Sequence, residues 1–137
     1  MNGGSVFFDT NVLLYLLSAD ATKANRAEQV LSGGGRISVQ VLNEFASVAW
    51  RRFGMSFAET REILDVIRSI CAVEPLTVQT HERGLAIGER YGFSVYDSTV
   101  IASALLADCG ILLSEDLQHG QMINGTLTIQ NPFTTDP

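Results

Sequence analysis

Four carboxylates occupy positions from which a chain of this kind could do chemistry. Asp9 directly follows the apolar run Val6-Phe7-Phe8, Glu44 lies on a long amphipathic pattern, Asp97 precedes another helical pattern, and Asp116 follows the apolar stretch 111–114 after Glu115. Two carboxylates about 5 Å apart repel by roughly 3 kcal/mol at an effective dielectric near 20. Four of them at one place therefore call for a cation. Ligation by oxygen alone, with no histidine or cysteine at ligand spacing, suits a hard ion, and Mg²⁺ or Mn²⁺ beside a phosphate is the usual use of such a site. The implied chemistry is phosphoryl transfer.

Each acid also has a plain structural use. Asp ahead of a helix is a favoured N-cap worth about 1 kcal/mol, which would account for Asp9 and Asp97. Glu115 could be the functional acid as well as Asp116, and spacing alone does not choose. Around the helix that carries Glu44, Val41, Phe45, Val48 and Ala49 form an apolar face, while Gln40, Glu44, Ser47 and Arg51 make an adjoining polar stripe. That stripe is either a solvated flank or one wall of a site, with Arg51 placed to meet a phosphate.

The elements that must position these residues follow from hydrophobic periodicity. Short apolar runs at 6–8, 36–38, 72–76, 111–114 and 127–130 read as strands, and helical patterns cover about 11–18, 21–31, 39–53, 56–70, 78–91 and 98–107. Ser56 with Glu59 forms a capping box, and Gly54, Gly92 and Gly110 stand where helices end in a left-handed residue. Strands alternating with helices predict an α/β fold: a three-layer α/β/α sandwich around a central, mainly parallel sheet. Sites in such sheets form beyond the carboxyl ends of the strands, the edge from which Asp9 and Asp116 should project.

Composition bounds the rest. The 137 residues, 46 % apolar and 18 % charged, predict a single globular domain over 1–137. The longest apolar stretches, 12–17 and 100–107, are well short of the roughly 18 residues of a membrane span, and the first residues lack a secretory pattern, so a cytoplasmic protein is expected. Cys71 and Cys109 read as reduced core thiols, and zinc is not expected from His81 and His119, which are far apart in the chain. The net charge of −6, with Lys23 the sole lysine, argues by itself against binding nucleic acid through the phosphate backbone.

Taken together, Val6-Phe7-Phe8-Asp9-Thr10-Asn11-Val12-Leu13, Asn43-Glu44, Tyr96-Asp97-Ser98 and Leu113-Ser114-Glu115-Asp116-Leu117-Gln118-His119-Gly120 resemble, in order and spacing, the acidic motifs of PIN-domain nucleases. The resemblance is to the VapC toxin branch of bacterial toxin-antitoxin systems and runs to Ile129-Gln130-Asn131-Pro132-Phe133. It implies that Asp9, Glu44, Asp97 and Asp116 are the catalytic metal-site acids, choosing Asp116 over Glu115. Thr10, Asn11, Ser98 and Ser114 become candidates for orienting those carboxylates. It also implies Mg²⁺ (or Mn²⁺) as cofactor, RNA as substrate, an antitoxin protein as partner and a homodimer. Two bound Mg²⁺ would cancel the charge of the four acids, leaving Arg51, Arg52, Arg36 or Arg26 to contact phosphate.

The reading is then a Mg²⁺-dependent endoribonuclease, the toxin of such a pair, hydrolysing phosphodiesters to 5′-phosphate and 3′-hydroxyl ends. The alternatives are a DNA nuclease, another acid-cluster phosphotransfer enzyme, or a non-catalytic α/β interaction module. A phosphatase of the haloacid-dehalogenase type would want an acid where Asn11 stands, and a phosphate-receiver domain would need a lysine near the acids on a late strand.

Overall fold

The computed structural model describes residues 5–134. Its elements run β1 (Val6–Phe8), α1 (Thr10–Leu14) with a 3₁₀ turn at Tyr15–Leu17, α2 (Ala21–Leu31), β2 (Gly35–Ser38), α3 (Val39–Phe53), α4 (Phe57–Ile70), β3 (Cys71–Glu74), α5 (Val78–Tyr91), α6 (Val95–Leu106), β4 (Ile111–Leu113), β5 (Met122–Ile123) and β6 (Leu127–Gln130). The strands form one sheet in the order β3-β2-β1-β4-β6-β5, parallel except for β5. This is the α/β architecture with a mainly parallel sheet flanked by helices that the alternating pattern predicts. The central strands are apolar on both faces because both are covered: Phe7, Phe8, Ile37, Leu112 and Ile129 are all fully buried.

Register decides where the acids emerge. Val6 lies opposite Ile111 and Phe8 opposite Leu113, so β1 and β4 end side by side and place Asp9 next to Ser114. The pairing runs one residue past β1, since the Asp9 N–H donates to the Leu113 carbonyl at 3.0 Å. Close approach of β1 and β2 requires Gly35, because a Cβ there would stand 2.5 Å from the Phe8 ring and 2.7 Å from the Val6 carbonyl oxygen.

Several helix ends are as expected: Ser56 and Glu59 cap α4 reciprocally, and Gly54 and Gly92 are left-handed. Three points differ. The last long helix begins at Val95, not at 98; Ser94 is its cap and accepts the Asp97 N–H, so Asp97 sits inside the first turn and is no cap. Its end is turned by Asp108 in the left-handed region (φ 57°), whereas Gly110 has no positive φ. The strand at 127–130 is joined by a short antiparallel partner, β5, that apolar periodicity does not show, although Asn124-Gly125, both left-handed at φ 51° and 72°, carries the turn signal. A two-residue strand is too short to show alternation. Among the described residues, no helix is long and apolar enough to cross a membrane.

Candidate active site

Asp9 caps α1 as it leaves the sheet. Its Oδ1 accepts the Thr10 N–H at 2.8 Å, and its Oδ2 accepts the Ser114 hydroxyl at 2.8 Å and the Asn11 amide at 3.3 Å. The side chain is only 6 % exposed, and burial pushes its pKa from 3.8 to about 6. The hydrogen bonds from Ser114 and Thr10 oppose that rise, and the negative charges of Glu44 and Asp97 add to it.

Ser114, fully buried at the exit of β4, is held by its backbone N–H on the Gln130 carbonyl at 2.9 Å. Its hydroxyl oxygen accepts the Asp116 N–H and lies within 3.2 Å of the Asn11 amide. Asn11 reaches both motifs: its amide nitrogen, with two hydrogens, lies near Asp9, Ser114 and Asp116 Oδ2, the last at 3.2 Å, and its carbonyl accepts the Glu115 N–H at 2.9 Å. One side chain thus ties the start of α1 to the loop after β4.

Glu44 enters from α3. The Thr10 hydroxyl donates to its Oε1 at 2.6 Å, and the Gln40 amide, one turn earlier, lies 3.4 Å from its Oε2. The same Gln40 amide donates to the Tyr96 carbonyl at 3.1 Å, which joins α3 to the first turn of α6. Gln40 is a positioning residue that sequence reasoning placed only in a polar stripe; its i, i+4 spacing to Glu44 was the available signal. Asp97 follows directly on that tie. Its pKa is raised, first by burial, with the charge of Asp116 adding and the Ser94 hydroxyl opposing. The charges of Glu44 and Asp97 thus act on Asp9, and that of Asp116 on Asp97.

Among the described residues, none of the four pairs with a cationic side chain. Nor do any three His, Cys, Asp or Glu side chains among those residues stand close enough together to hold a metal ion between them. Like charges without a cation keep apart, and Mg²⁺ does not need a cage: it usually retains several waters and takes one or two carboxylates. A buried carboxylate with no cationic partner among the described residues, held by three hydrogen bonds and with the charges of Glu44 and Asp97 acting on it, fits an ion that takes one or two carboxylates.

Glu115 is occupied elsewhere. Its carboxylate takes Lys23 at 3.1 Å and the Tyr15 hydroxyl, while Asp116 is the acid engaged by Asn11. Two sequence expectations are corrected. The Ser98 hydroxyl is buried with no hydrogen-bond partner among the described residues, and a Cβ on Gly88 would approach it to 2.9 Å; it is a packing residue between α5 and α6 and orients no acid. Arg51 donates to Ser47 along the surface of α3, and it is Arg52 that lines the cleft shared with Asn11 and Asp116. Arg36 pairs with Glu74 and Arg26 donates to the Pro132 carbonyl, so neither is held ready for phosphate. Cys71 and Cys109 are free and buried, their thiols pushed up to about 11, chiefly by burial.

Compared with known proteins, residues 6–122 match the family model described as PIN domain. The fold is similar to a toxin-antitoxin complex from Klebsiella pneumoniae (TM-score 0.73, 21 % identity, covering 94 % of this chain and 98 % of that one). It is also similar to VapC20 of Mycobacterium tuberculosis, described as a sarcin-ricin loop cleaving toxin (TM-score 0.67, 20 % identity, 82 % and 92 % covered). A third similar structure is VapBC2 from Rickettsia felis bound to a DNA fragment from its promoter (TM-score 0.65, 16 % identity, 92 % and 97 % covered). At these identities the likeness is one of fold. No curated protein matches the chain.

Proposed function

Because the chain belongs to the PIN domain family, we propose that it is a Mg²⁺-dependent endoribonuclease, with Asp9, Glu44, Asp97 and Asp116 as its catalytic acids and residues 1–137 as one nuclease domain. The observation that carries this reading is Asp9: nearly buried, raised in pKa, repelled by Glu44 and Asp97, and without a cationic partner among the described residues. A divalent ion held by Asp9 and Asp97, with Glu44 and Asp116 beside it, would supply the positive charge that a phosphodiester needs as its transition state gains negative charge.

The protein's own residues prepare that site. Ser114 and Asn11 fix Asp9 Oδ2 from one side while the Thr10 N–H fixes Oδ1 from the other. Thr10 and Gln40 aim Glu44, and Asn11 holds both Asp116 and the backbone before it. These contacts restrict the carboxylates before any substrate arrives, so less ordering remains to be done at the moment of reaction. Mn²⁺ has the same preference for oxygen and would serve in place of Mg²⁺.

The substrate reading rests on the chemistry of the acids and on the description of VapC20 as a toxin cleaving the sarcin-ricin loop. The similarity to toxin-antitoxin complexes supports an antitoxin partner; a homodimer and a cytoplasmic toxin complete the reading as what the resemblance of the motifs implies. The test is incubation of the purified protein with total RNA and with DNA, in Mg²⁺ and in chelator. Cleavage of RNA in Mg²⁺ alone, abolished in Asp97→Asn, is the expected result. Cleavage of DNA alone would make it a DNA nuclease, and no cleavage of either would return it to an interaction module. Co-purification with the product of an adjacent short reading frame tests the antitoxin.

A further inference from the structure

Beside the acids, and sharing Asn11 and Asp116 with them, the surface opens into a cleft of about 400 Å³. That volume falls within the roughly 300–1,000 Å³ typical of small-molecule sites. Its two walls are built differently. Tyr15 forms one: its hydroxyl is held between Glu115 and Lys23, and its ring is backed by Phe133, with centroids 4.5 Å apart. Lys23 Nζ sits 4.7 Å from the Tyr15 ring centroid, so this wall is braced by a cation, an aromatic ring and an ion pair at once.

The last turns of α3 form the other wall, through Val48, Arg52 and Phe53. Phe53 is 42 % exposed, immediately before the left-handed Gly54 that ends the helix. Arg52 makes no hydrogen bond or ion pair among the described residues, although Glu115 and Asp116 line the same cleft. Those acids are already engaged, Glu115 by Lys23 and Asp116 by Asn11. A guanidinium fork and an aromatic face on consecutive residues suit a ligand that carries both an anion and a flat ring system. A nucleotide is such a ligand, and a cation at this point offsets locally the charge of a chain whose net value is −6.

We infer that this cleft receives the nucleotide flanking the scissile phosphate of a single-stranded substrate, its base stacking on Phe53 and its phosphate meeting Arg52. The inference rests on the nuclease reading above and adds to it the residues that place the strand.

The test is binding of fluorescein-labelled, single-stranded RNA of random sequence, followed by anisotropy in Ca²⁺, with cleavage in Mg²⁺ measured in parallel. Phe53→Ala and Arg52→Gln should each weaken binding about tenfold, and only Arg52→Gln should flatten its salt dependence. Trp50→Ala is the control, since Trp50 is 60 % exposed on the same helix but does not line the cleft; it should bind like wild type. Unchanged binding in both cleft variants, or equal weakening in the control, overturns the inference. Wild type that binds with this pattern yet cuts nothing removes the nuclease reading and keeps the cleft. Wild type that cuts, with Phe53→Ala unchanged in both Kd and KM, removes the cleft and keeps the nuclease; wild type that neither binds nor cuts removes both.

Discussion

The Asn11 side-chain carbonyl accepts the backbone N–H of Glu115 at 2.9 Å, joining two segments 104 residues apart, while the amide of the same side chain reaches Asp9 and Asp116. Asn11→Ala leaves the partly buried Glu115 N–H without its acceptor and frees the loop that carries Asp116. We expect a stability loss of about 1–2 kcal/mol in denaturant melts. Cleavage should fall by about tenfold to a hundredfold, in proportion to lost metal affinity. Unchanged activity in a destabilised variant would make Asn11 a structural tie only.

Asp9 provides a test by pH. Its folded pKa of about 6 lies above the ordinary 3.8, so the native state binds this proton more tightly than the unfolded chain does. The stabilisation by the protonated form is complete below about pH 4 and is lost as pH rises through 6, a change of about 3 kcal/mol. In chelator, Asp9→Asn should lack this decline and be the more stable protein at pH 7. Saturating Mg²⁺ should reverse the order, because wild type alone keeps the full ligand set. Melts of both proteins across a Mg²⁺ series that run parallel, without crossing, would mean Asp9 holds no metal.

Asp97 and its cap can be separated. Ser94→Ala removes the hydroxyl that accepts the Asp97 N–H and should cost about 1 kcal/mol with cleavage retained. Asp97→Asn should leave stability in chelator nearly unchanged or higher, since a raised, repelled carboxylate is removed, and should abolish cleavage. If the two variants lose activity equally, Asp97 serves the helix and not the reaction.

The neighbouring acids should behave oppositely. Asp116→Asn should lower the cleavage rate by about a hundredfold with little effect on folding. Glu115→Gln should keep most activity, because Glu115 faces Lys23 and Tyr15. Its effect should be confined to a small, salt-dependent change in stability, as for a solvent-screened ion pair. A dead Glu115→Gln with a live Asp116→Asn would exchange their roles.

What the sequence determined by itself is whatever is local or periodic. The strands at 6–8 and 127–130 and the helices at 21–31, 39–53 and 78–91 could be read because apolar spacing and capping residues act over a few positions. The motifs around Asp9, Glu44, Asp97 and Asp116, in their order and spacing, are enough to suggest the family. Tertiary structure alone decided which side chains meet. Ser98 has a residue type suited to a site but faces Gly88, because two helices need a small contact there. Arg52 rather than Arg51 lines the cleft, since one residue on a helix turns a side chain by about 100° and only packing sets the phase. Spacing alone does not separate Glu115 from Asp116, although the family resemblance prefers Asp116; in the fold they part because Lys23 and Tyr15, brought from α2 and the preceding turn, claim one of them while Asn11 claims the other.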